Sequence, residues 1–529
     1  MLKRALLLAG AASIAAVPAT PVHAAAKTEA VPKEPSLHVQ CDGYPDNMSS
    51  GESAVRILAL TAVIGLLAPP PEQADLSKRK FGADGVSACT QVLVGEKAES
   101  NPERKLKLIM ARAIHQIEAK NYDQAIADVS LARQEARTSG LWDDPYFRRS
   151  MGLSFDQIEA AALLRQKKFA EADAKALASL DTVRFSLTSL LDLTSYSVFV
   201  EPGGREDLAH ADYVTRLFPL TLAARIGRLH EARKFEEAAK VAEDAVQYDE
   251  SFRQIVKDGK FQPSSWPLAN AALAHALAGH WDLAAKRAAE ARANDKRRVA
   301  EGQPEDGRVQ TAEVLDLFEV LNLAHAGNIA GARRLFTGRS EWLTPSFGSV
   351  METNRLLRAG AKPEELVGPL SKTAQDLWIE RRDAKLAEQL ARDTDNKSLF
   401  GLIVPYSRAS AFEAVSGKVW KIDKSKILIK KKDEKDIQQV AFLYPSAANV
   451  RYDAILLHSA LVARSKGYKG ILFIPFKNTY GSVIVRMGNP EDSFMPASLF
   501  IDADQAIAAL SPIIPEPAAL KARRAAASK

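Results

Sequence analysis

The chain has 529 residues, of which 47% are hydrophobic and 26% charged, which excludes a chain that is disordered from end to end. Its formal charge of +6 is too small a bias at this length to point to nucleic acid. The only cysteines, Cys41 and Cys89, cannot make a zinc site by themselves.

Residues 1–24 combine a basic start (Lys3, Arg4), an apolar run from Ala5 to Val17 and a close on Val22-His23-Ala24. That pattern predicts a cleavable secretory signal rather than a membrane span, for which the run is short. Its removal lowers the formal charge from +6 to +4. Export makes the periplasm the expected compartment and allows Cys41 and Cys89 to pair, without requiring it. No cysteine adjoins the cut, which argues against a lipid anchor.

Residues 25–53 are polar and read as irregular. Ala54 to Leu67 is almost wholly apolar and stops at Pro69-Pro70-Pro71, a length suited to a buried helix. Gly85 to Leu93 reads as a short helix. Helical hairpins follow: Lys105 to Ala136 turning at Asn121-Tyr122, Phe155 to Leu180, Leu217 to Tyr248, Leu268 to Arg292 and Ala312 to Phe336. In the fourth, two alanine-rich runs flank Ala278-Gly279-His280, and Trp281 is expected to be a buried wedge between helices. Thr182 to Tyr196 is read as an extra helix, Gly203-Gly204 and Pro263 to Pro267 as interruptions, and Ser349 to Arg392 as a final helical stretch with a charged run from Glu380.

A three-residue step from a bulky side chain to alanine occurs five times: Tyr122 to Ala125, Phe169 to Ala172, Phe235 to Ala238, Trp281 to Ala284 and Ile329 to Ala332. Such a step keeps both residues on one helix face. A second alanine stands seven residues later in three copies (Ala132, Ala245, Ala291), replaced by Ser179 and Arg339 in the others; Ala113, Ala160 and Ala272 lie twelve residues before the first. Small residues at fixed places allow helices to approach closely, and the bulky residue fills the gap. The pattern resembles the tetratricopeptide repeat, over roughly residues 85–336. It departs from that family in spacing, with steps of 47, 66, 46 and 48 residues between turns against about 34 in the family. The resemblance implies stacked hairpins over residues 54–392, forming a groove that grips a protein or peptide.

After about Asp395 the texture changes. Val419 to Ile422, Ile427 to Ile429, Val440 to Tyr444, Ile471 to Phe476 and Ser482 to Arg486 read as strands, Arg451 to Lys466 as an amphipathic helix stopped by Gly467, and Asp504 to Leu510 as a short helix. Residues 400–514 are therefore expected to form a small α+β domain, and 515–529 a disordered basic tail. The fold class expected for the whole is mainly α, a TPR-like α-solenoid followed by this small domain.

No catalytic, cofactor-binding or metal-ligating residue is assigned. His230-Glu231 lacks the second histidine of a zinc hydrolase, no phosphate loop or nucleophile elbow is present, and Ser77 to Lys80 matches a Ser-x-x-Lys pattern without its partner motifs. His115, His275, His280 and His325 are read as packing residues. His458 with Asp453 is the least unlikely pair for an enzyme. Eight lysines between Lys418 and Lys435 form a basic patch, read as solvated strand edges, with an anionic membrane or cell wall as the alternative contact. The expected function is that of a non-catalytic exported scaffold without cofactors.

Overall fold

The structure, a computed structural model, describes residues 34–45, 73–95, 98–202, 208–255, 264–303, 306–394, 398–422, 428–431, 436–441, 448–475 and 483–527. The predicted signal, the apolar segment Ala54 to Leu67 and Gly203-Gly204 lie outside them, as does much of the lysine patch. The protein is mainly helical, with many packed helix pairs and a small antiparallel sheet towards the C-terminus.

All five turn residues open the second helix of a hairpin: Tyr122–Thr138, Phe169–Ala176, Phe235–Ile255, Trp281–Ala300 and Ile329–Thr337. The first helices are Pro102–Glu118, Leu153–Arg165, Leu222–Glu231, Ser265–Ala278 and Arg308–His325. Two residues before each bulky residue the backbone is left-handed, at Lys120 (φ 63), Lys167 (61), Arg233 (57), Gly279 (82) and Gly327 (81). The residue between them then donates its N–H five positions back, as in Asn121 to Gln116 O at 2.8 Å and His280 to His275 O at 2.9 Å. This closing geometry satisfies carbonyls that the ending helix would leave open. One turn is thus repeated five times, at glycine twice and at a cationic residue three times.

The alanine three residues on is fully buried in every copy. Copies one, three and four, which keep the second alanine, have second helices of 17, 21 and 20 residues. In copies two and five those helices have 8 and 9 residues and end before Ser179 and Arg339. The second alanine is lost where no helix remains to pack closely.

Several expectations need correction. Pro263 to Pro267 is not wholly a loop, since Pro267 lies in the first turn of Ser265–Ala278, where its missing N–H costs nothing. Ser349 to Arg392 is two helices, Phe347–Arg358 and Ala374–Ala391, separated by 3-10 turns. The Thr182 to Tyr196 segment holds only short helical pieces. Val419 ends the Ala409–Val419 helix rather than starting a strand, and the tail forms a helix at Pro517–Ala527, as its alanine content favours. Trp281 is half-buried: it stacks on His325 of the next hairpin, with centroids 3.9 Å apart and planes 8° from parallel.

The sheet has strands β1 (Leu428–Lys431), β2 (Ile437–Ala441), β3 (Gly470–Pro475), β4 (Val483–Gly488) and β5 (Ile501–Asp502) in the order β1-β2-β4-β3-β5, all antiparallel. Ile471, Phe473, Val483, Val485 and Met487 face the helices Ala448–Ser465 and Ala503–Leu510. On the other face Leu472, Ile474 and Ile484 pack with Leu222, Ile226 and Ala242 of the third hairpin. Burial on both faces explains why β3 and β4 read as continuous apolar runs instead of alternating ones. The long step between copies two and three is also accounted for: Leu180, Leu187, Leu190 and Leu217 pack into the core around Ala448–Ser465.

At the N-terminus a disulfide joins Cys41 to Cys89 with Cα atoms 4.8 Å apart. Beside it, Arg104 pairs with buried Asp42, and His115 bridges Glu118 (2.7 Å) and Cys41 O (2.8 Å).

Candidate binding cleft

Helix Leu222–Glu231, the loop before Phe347–Arg358, and helix Ala374–Ala391 meet around a cleft of about 260 Å³. The first helix supplies Ala224, Arg228 and Glu231, the fourth hairpin Trp266 and Asn270, and helix Ala374–Ala391 Trp378, Arg381, Arg382 and Lys385. Four cations thus face one carboxylate.

The walls are built by buried polar contacts. Glu313, on the first helix of the fifth hairpin, accepts the N–H groups of Leu343 (2.7 Å) and Thr344 (3.1 Å) as well as the Thr344 hydroxyl. Trp342 donates its ring N–H to Phe336 O at 3.1 Å. Ser346 caps Phe347–Arg358 by accepting from Ser349 N at 3.3 Å, and its hydroxyl lies 2.6 Å from Nδ1 of buried His230. Gly348 lies against the end of Leu222–Glu231 so closely that a Cβ there would fall 2.3 Å from Glu231 N. A Thr373–Asp376 capping box starts helix Ala374–Ala391.

Within the cleft, Arg228 pairs with Glu231 at 2.9 Å, and Arg382 pairs with Asp383 at 2.8 Å while lying 4.8 Å from the Trp378 ring centroid. Arg381 lies 4.7 Å from the centroid of Phe347. Partial burial, then repulsion from Arg381 and Arg228, lowers the Lys385 ammonium below its ordinary value. Burial likewise lowers Arg381, against the pull of Glu231, Glu341 and Glu313. Burial lowers His230 to about 4, so this imidazole is neutral at pH 7 and serves as a strut for Ser346. The cleft offers charge, guanidinium forks and apolar walls, which is the equipment of a binding site.

The residues singled out from sequence lie elsewhere. Asp453 pairs with Arg149 at 2.8 Å, whereas His458 is fully buried with Nδ1 2.8 Å from Val419 O; the two serve different partners and burial lowers the histidine. Ser77 bonds to Asp75 in an exposed turn. His275 lies 2.9 Å from Glu243 and 3.3 Å from His280. Among the described residues no group of His, Cys, Asp and Glu is placed to hold a metal ion, and no helix is long and apolar enough to cross a membrane. Of the basic patch, Lys418 and Lys421 have described side chains, half-buried and exposed.

The charged run from Glu380 was visible in sequence as part of the helical stretch Ser349 to Arg392; what it faces was not, because Arg228 belongs to a hairpin far upstream. Compared with known proteins, the chain matches no family model, no curated protein and no solved structure.

Proposed function

We propose that the protein is an exported, non-catalytic scaffold whose tetratricopeptide-like hairpins stack into a solenoid and recognise a protein or peptide in the cleft beside Arg228 and Arg381. The observation that carries this reading is the cleft itself, walled by separate hairpins and helix Ala374–Ala391, and held open by Glu313, Ser346 and Gly348. A preformed groove binds without the cost of ordering its own walls. The five identical turns with their buried alanines support the repeat assignment, and the Cys41–Cys89 disulfide supports an oxidising compartment such as the periplasm.

The test is photo-crosslinking in intact cells from a reactive amino acid placed at Ala224, inside the cleft, against one at exposed Ala285. The expected result is a discrete adduct from Ala224 alone. Identical products from both positions, or none from Ala224, would sink the scaffold reading.

A further inference from the structure

We infer that the cleft takes an acidic peptide segment, a stretch of a partner protein whose Asp and Glu side chains pair with Arg381 and Lys385. This rests on the scaffold reading above and names the chemistry of its ligand. The cations around the cleft are otherwise matched: Arg228 with Glu231, Arg382 with Asp383, Lys372 with Glu380, Arg392 with Glu388. Arg381 donates to Trp342 O at 3.4 Å, and among the described residues neither it nor Lys385 forms an ion pair, although both line the cleft. Glu231, Glu341 and Glu313 act on Arg381, and Glu231 and Glu388 on Lys385, without forming an ion pair, so two like charges stay close in a partly dry groove at a cost that a bound anion relieves.

The aromatic side chains narrow the ligand class. Phe347 and Trp378 have guanidinium groups over their faces, at 4.7 and 4.8 Å. Their rings hold these cations in place, which suits the groove to an anion more than to a sugar or a base stacked on an aromatic face. The neighbouring cavity disfavours a continuous polyanion. It has a volume of about 600 Å³, shares Leu343, Phe347, Arg381 and Lys385 with the cleft, and adds apolar Trp342, Val350 and Leu377. It also carries Glu341, Glu380 and Glu388, so a ligand that enters it must turn its apolar side chains that way and its carboxylates towards Arg381 and Lys385, which a uniformly charged strand or lipid sheet cannot do. Carboxylates spaced by apolar residues suit both cavities at once.

The experiment titrates the purified full chain with a fluorescein-labelled peptide of repeated Glu-Ala-Leu, and with its Gln-Ala-Leu counterpart. The acidic peptide should bind at least tenfold more tightly, with an affinity that falls as salt rises. Arg381→Gln with Lys385→Gln should remove that preference, and Lys385→Gln alone should weaken it at an unchanged melting temperature, whereas Arg381 also lies over Phe347 and donates to Trp342 O. Lys418→Gln with Lys421→Gln, at a surface away from the cleft, should leave it intact. Equal binding of both peptides, an unaffected cleft double variant, displacement by millimolar inorganic phosphate, or tighter binding of a single-stranded oligonucleotide would each overturn the inference. A cleft-specific crosslink with no acidic preference would overturn this inference and leave the scaffold reading standing; absence of the crosslink would remove both.

Discussion

Arg149 and Asp453, 304 positions apart in sequence, form a buried ion pair of 2.8 Å that ties the segment before the second hairpin to the central helix of the C-terminal region. The two side chains are 9% and 1% exposed, and burial raises the Asp453 carboxyl despite its arginine. Removing one partner leaves a charge without water or counter-ion. Arg149→Met is therefore expected to destabilise the protein by about 3–5 kcal/mol, and Arg149→Met with Asp453→Leu to recover most of the loss. Denaturant midpoints of the single and double variants check this.

Acid should weaken the fold in two steps. His230 is held at about 4 by burial, so below its ordinary 6.5 the unfolded chain takes up a proton that the folded chain refuses. Stability is full above pH 6.5 and declines as pH falls towards 4, by about 3 kcal/mol. For Glu243, burial opposes ionisation, but hydrogen bonds from His275 and Arg287 outweigh it and hold the carboxyl at about 2; its contribution is present above 4.5 and is lost as pH falls towards 2. His230→Gln should flatten the first slope and Glu243→Gln the second, in melting curves recorded across pH.

The repeated turn permits a sign prediction. Lys120, Lys167 and Arg233 hold a left-handed backbone that costs a non-glycine residue about 1 kcal/mol. Replacing each by glycine should raise stability by up to about 1 kcal/mol. Gly279→Ala and Gly327→Ala should lower it by a similar amount, for conformational reasons alone, since a Cβ there would meet no neighbouring atom. Equilibrium unfolding of the five variants decides.

Trp281 is half-buried, and its stacking on His325 joins two hairpins. Trp281→Ala should cost about 2 kcal/mol, below the range of a fully buried aromatic. If His325→Ala costs a comparable amount and the double variant little more, the stack carries the effect, as thermal melts of the cycle will show.

The Cys41–Cys89 bond closes a loop across a sequence separation of 48, which in the chain-entropy account stabilises by about 4 kcal/mol. Reduction, or Cys41→Ala with Cys89→Ala, should shift the denaturant midpoint accordingly.

Much of the helical architecture was legible in the sequence because it is local. The three-residue step from Tyr122, Phe169, Phe235, Trp281 and Ile329 to a buried alanine marks a helix face whatever lies beyond it. That the copies without the second alanine have short second helices became apparent only in the structure. Gly279 announced its turn, whereas Lys120, Lys167 and Arg233 concealed the same one, since cationic side chains carry no signal for a left-handed backbone.

Tertiary structure alone decided how these pieces meet. It covered β3 and β4 on both faces, drew Leu187 and Leu217 into a core with the Ala448–Ser465 helix, and gave Asp453 to Arg149 rather than to His458. It also set Arg228 across a cleft from Arg381 and Lys385. Periodicity states which face of a helix is apolar, but partners hundreds of residues apart are chosen by packing the whole chain, and the cleft lies where three such faces converge.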